Sequence, residues 1–484
     1  MERVLKGISP EKVLYWFEEL SKIPRCSKEE GKVSDWLVNF AKERNLEYIQ
    51  DKALNVIIRK PGTKGYENHE FVTLQGHMDM VCEKNLDTEH DFSSDPIKLR
   101  VENDYIYATG TTLGADDGIA VAYQLALLDS EDIPHPPLEM LITSDEETGM
   151  GGANNLSPEN IKGKTLINID SEEEGVFLVS CAGGMRDKIR LDIDWEEVED
   201  NLLPFKIKLG GLKGGHSGME INKQRANANK LMGRFLLDAN DTMDFYIYSV
   251  DGGAKDNAIP REFVTKIMMK NKDLDEMEEI IKKWNKIFQK EYRVQDANID
   301  ITISKTSEEV KKVFSKKTAS KMVTLLNLIP NGVLGMSSEI DDLVETSSNL
   351  GVVKTHENSI EFDSATRSSV ESKKQEVHQT ARLVSEMIGA EIITSAPYPA
   401  WQYQPDSKIR DVFKKVYKEK FSKEPEIAAI HAGLECGLLS QKLDNVDMIS
   451  FGPNMFDVHT PDEHISISSI NRMWKFLKDV LKEL

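Results

Sequence analysis

Residues 138–149 read "LEMLITSDEETG". The opening "LEMLITS" is short, apolar and bounded by a turn, as a buried strand is. It runs into Asp145, Glu146 and Glu147, three adjacent acids that repel one another. Loop solvation explains acids in a turn, but not acids gathered at the tip of a buried strand. In α/β sheets, ligands bind outside the carboxyl ends of the strands. The stretch therefore predicts an α/β sheet whose strand ends gather acids for a cation.

Neighbouring segments extend the pattern. "LNVIIRK" (54–60), "EFVTLQGHMD" (70–79) and "KTLINID" (164–170) read as strands, and "DDGIAVAYQLALLDS" (116–130) has apolar residues at helical spacing. Strands separated by a helix indicate a layered α/β domain. From about residue 187 the character becomes α+β. "FKIKLGGLKGGHSG" (205–218) and "SIEFDSATRSS" (359–369) read as strands. Helices are expected near 222–237, over 273–292 and over 371–389. The C-terminal part returns to short strands, "EIAAIHAG" (426–433) and "VDMISFGP" (446–453), and closes on a helix over 466–484 opened by capping serines. The expected organisation is a catalytic domain over 1–186 and 397–484, with a mixed sheet flanked by helices. An α+β lid and dimerisation domain is inserted over 187–396.

With 484 residues, 39% hydrophobic and 30% charged, the chain has material for more than one core. No apolar run is long enough to span a bilayer. The net charge of −21 argues against nucleic acid or an anionic membrane as partner, because counterion release needs a basic face. The start, "MERVLKGISPEKVLYWFEEL", reads as an amphipathic helix and not as a secretory signal. Four scattered cysteines, Cys26, Cys82, Cys181 and Cys436, suggest reduced cytoplasmic thiols.

Several strand ends carry ligand-type residues. "LQGHMDM" puts His77 and Asp79 just past a strand, facing the same way. Asp79 is thereby able to orient His77 from behind, although two polar loop residues are the bland alternative. "TTLGADDGIA" puts Asp116 and Asp117 at a helix start, where one Asp serves as a cap and the second is surplus. In "TSDEETG", successive side chains diverge, so one of Glu146 and Glu147 can bind a cation while its neighbour holds a water. "LINIDSEEEG" ends a strand at Asp170, and "FGPNMFDVHTPDEH" offers His459, with His464 an equal candidate on composition. Histidine with several carboxylates suits zinc, manganese or cobalt, and two such ions bridged by a carboxylate form a hydrolytic centre.

Taken in order, "LQGHMDMV", "TTLGADDGIAVA", "SDEETGMGGA", "LINIDSEEEG", "CAGG", "GGHSG", "HAGLECG" and "FGPNMFDVHTPDE" resemble the M20 family of dinuclear zinc peptidases. The likeness is greatest to its aminoacyl-histidine (Xaa-His) dipeptidase branch. The resemblance implies that His77 and Asp170 bind one ion, Glu147 and His459 the other, and that Asp116 bridges them. It implies Asp79 as the residue orienting His77 and Glu146 as general base. His216 in "GGHSG" would stabilise the oxyanion, often across a dimer. Asn257, Arg367 and Gly433 would contact the substrate, the first two through its terminal carboxylate. The branch often has Asp-Asn after "GA", where this chain has Asp116-Asp117. The implied enzyme is a cytoplasmic homodimer with two divalent ions per subunit, Zn2+ first and Mn2+ or Co2+ as alternatives, acting on small peptides. Competing expectations are a tripeptidase, carboxypeptidase or N-acyl amino acid deacylase of the same family, and a non-catalytic metal-binding protein.

Overall fold

The structure, a computed structural model, describes residues 3–484. It divides into two compact units, one of residues 1–180, 403–429 and 434–484, the other of 181–402 and 430–433. The boundaries read from sequence at 186/187 and 396/397 fall inside strands, Gly183–Asp192 and Glu391–Tyr398. Composition changes gradually there, whereas a strand is kept whole by its ladder.

The first unit is built on an eight-stranded sheet in the order Glu47–Gln50, Val56–Lys60, Leu138–Thr143, Val72–His77, Thr165–Asn168, Asp447–Ser450, Val176–Cys181, Glu426–Ile430. The four strands from Leu138–Thr143 to Asp447–Ser450 are mutually parallel. The Leu138–Thr143 and Val72–His77 strands are buried at every residue, as strands covered on both faces are. One cover is the helix Ala115–Leu128, buried almost all round. Its Tyr123 ring stacks on Trp474 of the closing helix Ile467–Glu483, and the hydroxyl donates to the Ile470 carbonyl. Ser466 caps that closing helix by accepting from the Ser469 amide.

A nine-stranded sheet forms the second unit. Its main path runs Asp300–Lys305, Leu203–Gly210, Phe263–Met269, Tyr246–Gly252, Val344–Thr355, Ser359–Ser368, Gly183–Asp192, Glu391–Tyr398, with Gly332–Met336 paired to Val344–Thr355. Helices Ala228–Thr242, Leu274–Glu291, Lys316–Leu328 and Glu371–Ile388 accompany it, and the core includes Phe205, Phe235, Phe263, Phe288 and Phe362.

Three local expectations are corrected. The N-terminal helix spans only Glu11–Leu20, because Pro10 disfavours helical backbone in the residue before it. The helix expected near 222–237 runs Ala228–Thr242, because the Asn227 side chain caps it by accepting from the Asn229 and Lys230 amides. Cys26 and Cys82, expected as reduced thiols, are joined as a disulfide with Cα atoms 5.7 Å apart. A bridge between Cys26 and Met80 lays the two segments side by side, which a separation of 56 residues conceals. No described helix is long and apolar enough to cross a membrane.

Candidate active site

Four parallel strands of the first unit end on one edge, and the acids and histidines sit there. His77 is the last residue of its strand. The acid run begins two residues past Thr143, Asp170 lies two past Asn168, and His459 follows the Asp447–Ser450 strand. Asp116 comes from the start of the Ala115–Leu128 helix, where its backbone is non-helical (φ −80°, ψ 108°). That start has no local cap. Instead the buried Glu463 carboxylate accepts from the amides of Leu113 (2.7 Å), Gly114 (2.9 Å) and Ala115 (2.7 Å). The Gly114 and Ala115 amides are among those a helix N-terminus leaves unpaired. Beneath the same loops, the buried Arg25 guanidinium donates to the carbonyls of Met78 (3.0 Å), Asp79 (3.1 Å) and Gly114.

Asp116 is the hub. Its Oδ1 lies 3.1 Å from His77 Nε2, and its Oδ2 lies 3.1 Å from His459 Nε2. His77 Nε2 also lies 3.6 Å from Asp170 Oδ1, and His459 Nε2 lies 2.9 Å from Glu147 Oε2. Two groups result, His77/Asp116/Asp170 and Asp116/Glu147/His459, each with its ligand atoms within 4.8 Å of one another. The residues fit two divalent cations on three counts. Imidazoles and carboxylates form the donor set that zinc and its neighbours accept. Each oxygen of the shared carboxylate serves a different group. Glu147 Oε1 is buried with no hydrogen-bond partner among the described residues.

Behind this set, Asp79 Oδ1 lies 3.4 Å from His77 Nδ1. The same carboxylate accepts from the Glu146 amide (3.0 Å), the Glu147 amide (3.3 Å) and the Ser27 hydroxyl (2.8 Å). Burial opposes its ionisation, yet His77 and these donors hold it down at about 2. Hydrogen bonds to Asp116 and Glu147 push His459 up to about 11. Burial, reinforced by the charges of Asp170, Glu435 and Glu147, raises Glu146 well above the usual carboxylate range. His464, the rival to His459, is elsewhere, stacked on Tyr107 and Phe456.

The remaining predicted residues belong to the second unit. His216 pairs with Ala258 across a short ladder, next to Asn257, whose carbonyl accepts from the Ser217 amide (2.9 Å). His216 Nδ1 accepts from the Gly218 and Met219 amides at 3.2 and 3.1 Å, which leaves Nε2 to carry any proton. A side chain at Gly218 would meet the His431 carbonyl, Arg367 Nε and the His216 ring at 2.8, 3.1 and 3.1 Å. Arg367, His216 and the 430–433 segment that ends in Gly433 therefore meet around Gly218. Arg367 Nη1 donates to the Tyr398 hydroxyl (2.9 Å), while its Nε is buried without a partner among the described residues. His431 Nε2 meets Ser347 Oγ at 2.7 Å, and burial, helped by Arg367, lowers its pKa to about 4.

Sequence reasoning missed Arg25, Glu463, His431 and Glu435. The last two lie inside the quoted "HAGLECG", but each gains its partners only through distant segments. Arg25 and Glu463 act on backbone groups, for which a sequence carries no marker.

Comparison with known proteins adds to this geometry. The description "Peptidase family M20/M25/M40" matches residues 73–483. The cytosol non-specific dipeptidase of Escherichia coli (strain K12) is 38% identical over 480 residues, covering 99% of both chains. The crystal structure of aminoacylhistidine dipeptidase from Vibrio alginolyticus superposes with a TM-score of 0.96 at 37% identity, covering 99% of this chain and 98% of that one. A tripeptidase from Staphylococcus aureus shares the fold at a TM-score of 0.55 and 15% identity, covering 98% of each chain.

Proposed function

Because the chain belongs to peptidase family M20/M25/M40, whose members are hydrolases acting on peptide bonds, we propose that it is a dipeptidase working with two divalent metal ions. The observation that carries this reading is Asp116, whose two oxygens face two different histidine–carboxylate groups. In the proposal His77 and Asp170 hold one ion, Glu147 and His459 the other, and Asp116 both. Zn2+ is the first expectation, with Mn2+ and Co2+ as alternatives for this donor set. When bound, such ions supply a water of lowered pKa and polarise the scissile carbonyl.

The chain's own residues do the rest. Glu146 takes the proton of the attacking water and passes it to the leaving amine, acting first as base and then as acid. Asp79 fixes His77 from behind and, through the two backbone amides, holds Glu146 and Glu147 in place. The second unit is assigned the role of lid and dimerisation domain. His216 serves the developing oxyanion, with Asn257, Arg367 and Gly433 as substrate contacts. The buried Arg367 Nε, without a partner among the described residues, supports a carboxylate ligand for that residue.

Small peptides are the substrate class, with Xaa-His dipeptides the narrower expectation. The Vibrio relative's title supports that narrower choice, and the Escherichia coli relative's description, "non-specific", supports a broader one. A panel decides. Protein loaded with Zn2+, Mn2+ or Co2+ is given Xaa-His dipeptides, other dipeptides, tripeptides and N-acyl amino acids. Dipeptides should be preferred, and preference for acyl substrates overturns the reading.

A homodimer is proposed on the exposed strand Glu391–Tyr398, at the edge of its sheet, with Ile393 52% exposed. Leu383 and Met387 of the Glu371–Ile388 helix are also exposed, at 51% and 88%. Light scattering should give twice 54.7 kDa, and a monomer overturns it. A cytoplasmic location is supported by the cytosolic relative. The Cys26–Cys82 disulfide weighs against it, since reducing compartments keep thiols apart.

A further inference from the structure

Beneath the candidate ligands lies a row of polar side chains in the middle of the buried sheet. Gln75 is the register partner of Asn168, and Asn168 of Ser450, across three parallel strands. Thr143 ends the neighbouring strand, and Glu435 begins the helix Glu435–Lys442. All five are 0% exposed. Strands buried on both faces are ordinarily Val, Ile and Leu, and a buried polar row is tolerated only when its members satisfy one another.

These residues do so in a fixed direction. Ser450 Oγ donates to Asn168 Oδ1, Asn168 Nδ2 donates to Gln75 Oε1 (2.6 Å), and Gln75 Nε2 donates to Glu435 Oε2 (2.6 Å). Thr143 Oγ1 donates to the same Glu435 oxygen at 2.6 Å. An amide can point either way, whereas the Glu435 oxygen Oε2 accepts from both Gln75 and Thr143. Glu435 is therefore the member that sets the direction of the chain. With the amides so turned, Asn168 Oδ1 is free to accept from the Asp170 backbone amide (3.3 Å). Gln75 and Asn168 each stand two residues before a candidate ligand, His77 and Asp170. In extended chain, residues i and i+2 project to the same side, so the row is the layer on which those two ligands rest. Glu435 Oε1 is buried with no partner among the described residues.

We propose that Glu435 is a positioning residue of the hydrolytic site, acting through Gln75 and Asn168 to hold His77 and Asp170 in ligand geometry. This rests on the two-ion reading above. Its structural signature is the one-way donor chain, which makes a specific exchange informative. Glu435→Gln keeps size but sets an NH2 either where Oε1 has no partner or against the Gln75 and Thr143 donors, so neither orientation of the amide satisfies the row. Adding Gln75→Glu restores one carboxylate to the row, accepting from Asn168 on one side and from the new amide on the other.

The test uses metal-free full-length protein titrated with Co2+, followed by its visible absorption, alongside dipeptide kinetics and thermal unfolding. Wild type is expected to take up two equivalents. Glu435→Gln should weaken Co2+ uptake and lower kcat by roughly 10–100-fold, the range for groups that support metal ligands, with KM changed by less than about 3-fold. The double variant should recover both readouts to within about 3-fold. A folded Glu435→Gln protein with unaltered Co2+ uptake and kcat overturns the inference, and so does a loss that a folded double variant does not recover. If Glu435→Gln does not fold, the double variant alone decides. Wild type that takes up no Co2+ overturns the two-ion reading itself, which separates the two failures.

Discussion

The three acids of residues 145–147 sit on adjacent α-carbons and have different fates, which backbone geometry explains. Asp145 is in the left-handed region (φ 52°), tolerated by Asp better than by most side chains. Its carbonyl accepts from the Gly151 amide, and its carboxylate meets Lys28 and the Thr148 hydroxyl. It builds the turn. Turning the chain there separates Glu146 from Glu147, whose amides are both held by Asp79. Glu147 then faces His459 at 2.9 Å, and Glu146 belongs to neither of the two histidine–carboxylate groups found among the described residues. The two should respond differently to substitution. Glu146→Gln is expected to lower kcat by about 10²–10⁴-fold, the contribution of a general base, while metal content measured by elemental analysis stays at the wild-type level. Glu147→Ala should lose metal. The opposite pattern would reverse their roles.

Among the elements, the Leu138–Thr143 strand shows what a central position demands. Glu139 in "LEMLI" is 0% exposed, in a strand that reads as purely apolar. It is tolerated because Arg59 on the antiparallel neighbour approaches Glu139 Oε2 at 2.8 Å. Thr73 and the amides of Lys162 and Gly163 occupy its other acceptor positions. Removing one member of a buried pair strands the other charge, typically costing about 3–5 kcal/mol. Arg59→Met should therefore lower the unfolding free energy by that amount in urea titrations. Residual kcat of the folded fraction should be unaltered, because the pair lies at the opposite end of the strand from the acids. Arg59→Met with Glu139→Leu should recover much of the loss. A single variant as stable as wild type would show that solvent reaches the pair.

At the scale of the molecule, the first unit is assembled from segments far apart in the chain, and covalent and electrostatic ties bring them to one edge. The Cys26–Cys82 disulfide spans a sequence separation of 56, and the loop it closes includes the His77 strand and the Asp79 loop. A cross-link over such a loop restricts the unfolded chain by an amount worth about 4 kcal/mol in the chain-entropy model. Reduction by dithiothreitol, or Cys26→Ser with Cys82→Ser, should lower the urea midpoint accordingly. An unchanged midpoint and four titratable thiols in protein unfolded without reductant would show that the pair is reduced in solution.

What the sequence determined was chemical identity. The alternation of short apolar runs with helical spacing specified an α/β sheet, and ligand-type residues just past those runs marked its functional edge. The resemblance of the motifs in order named His77, Asp116, Glu147, Asp170 and His459 as ligands; their places in the chain alone left a polar loop at His77, a helix cap at Asp116 and His464 as the equal of His459. Assembly was decided by tertiary structure. Asp116 meets His459 across 343 residues, and Gln75 meets Glu435 across 360. No local propensity records such pairs, since each is set by which strands share a sheet and in what register. The Glu463 cap, the Arg25 clamp and the buried row beneath the candidate ligands all follow from that register. Their energies arise from burial, and a residue is buried only by the folded whole.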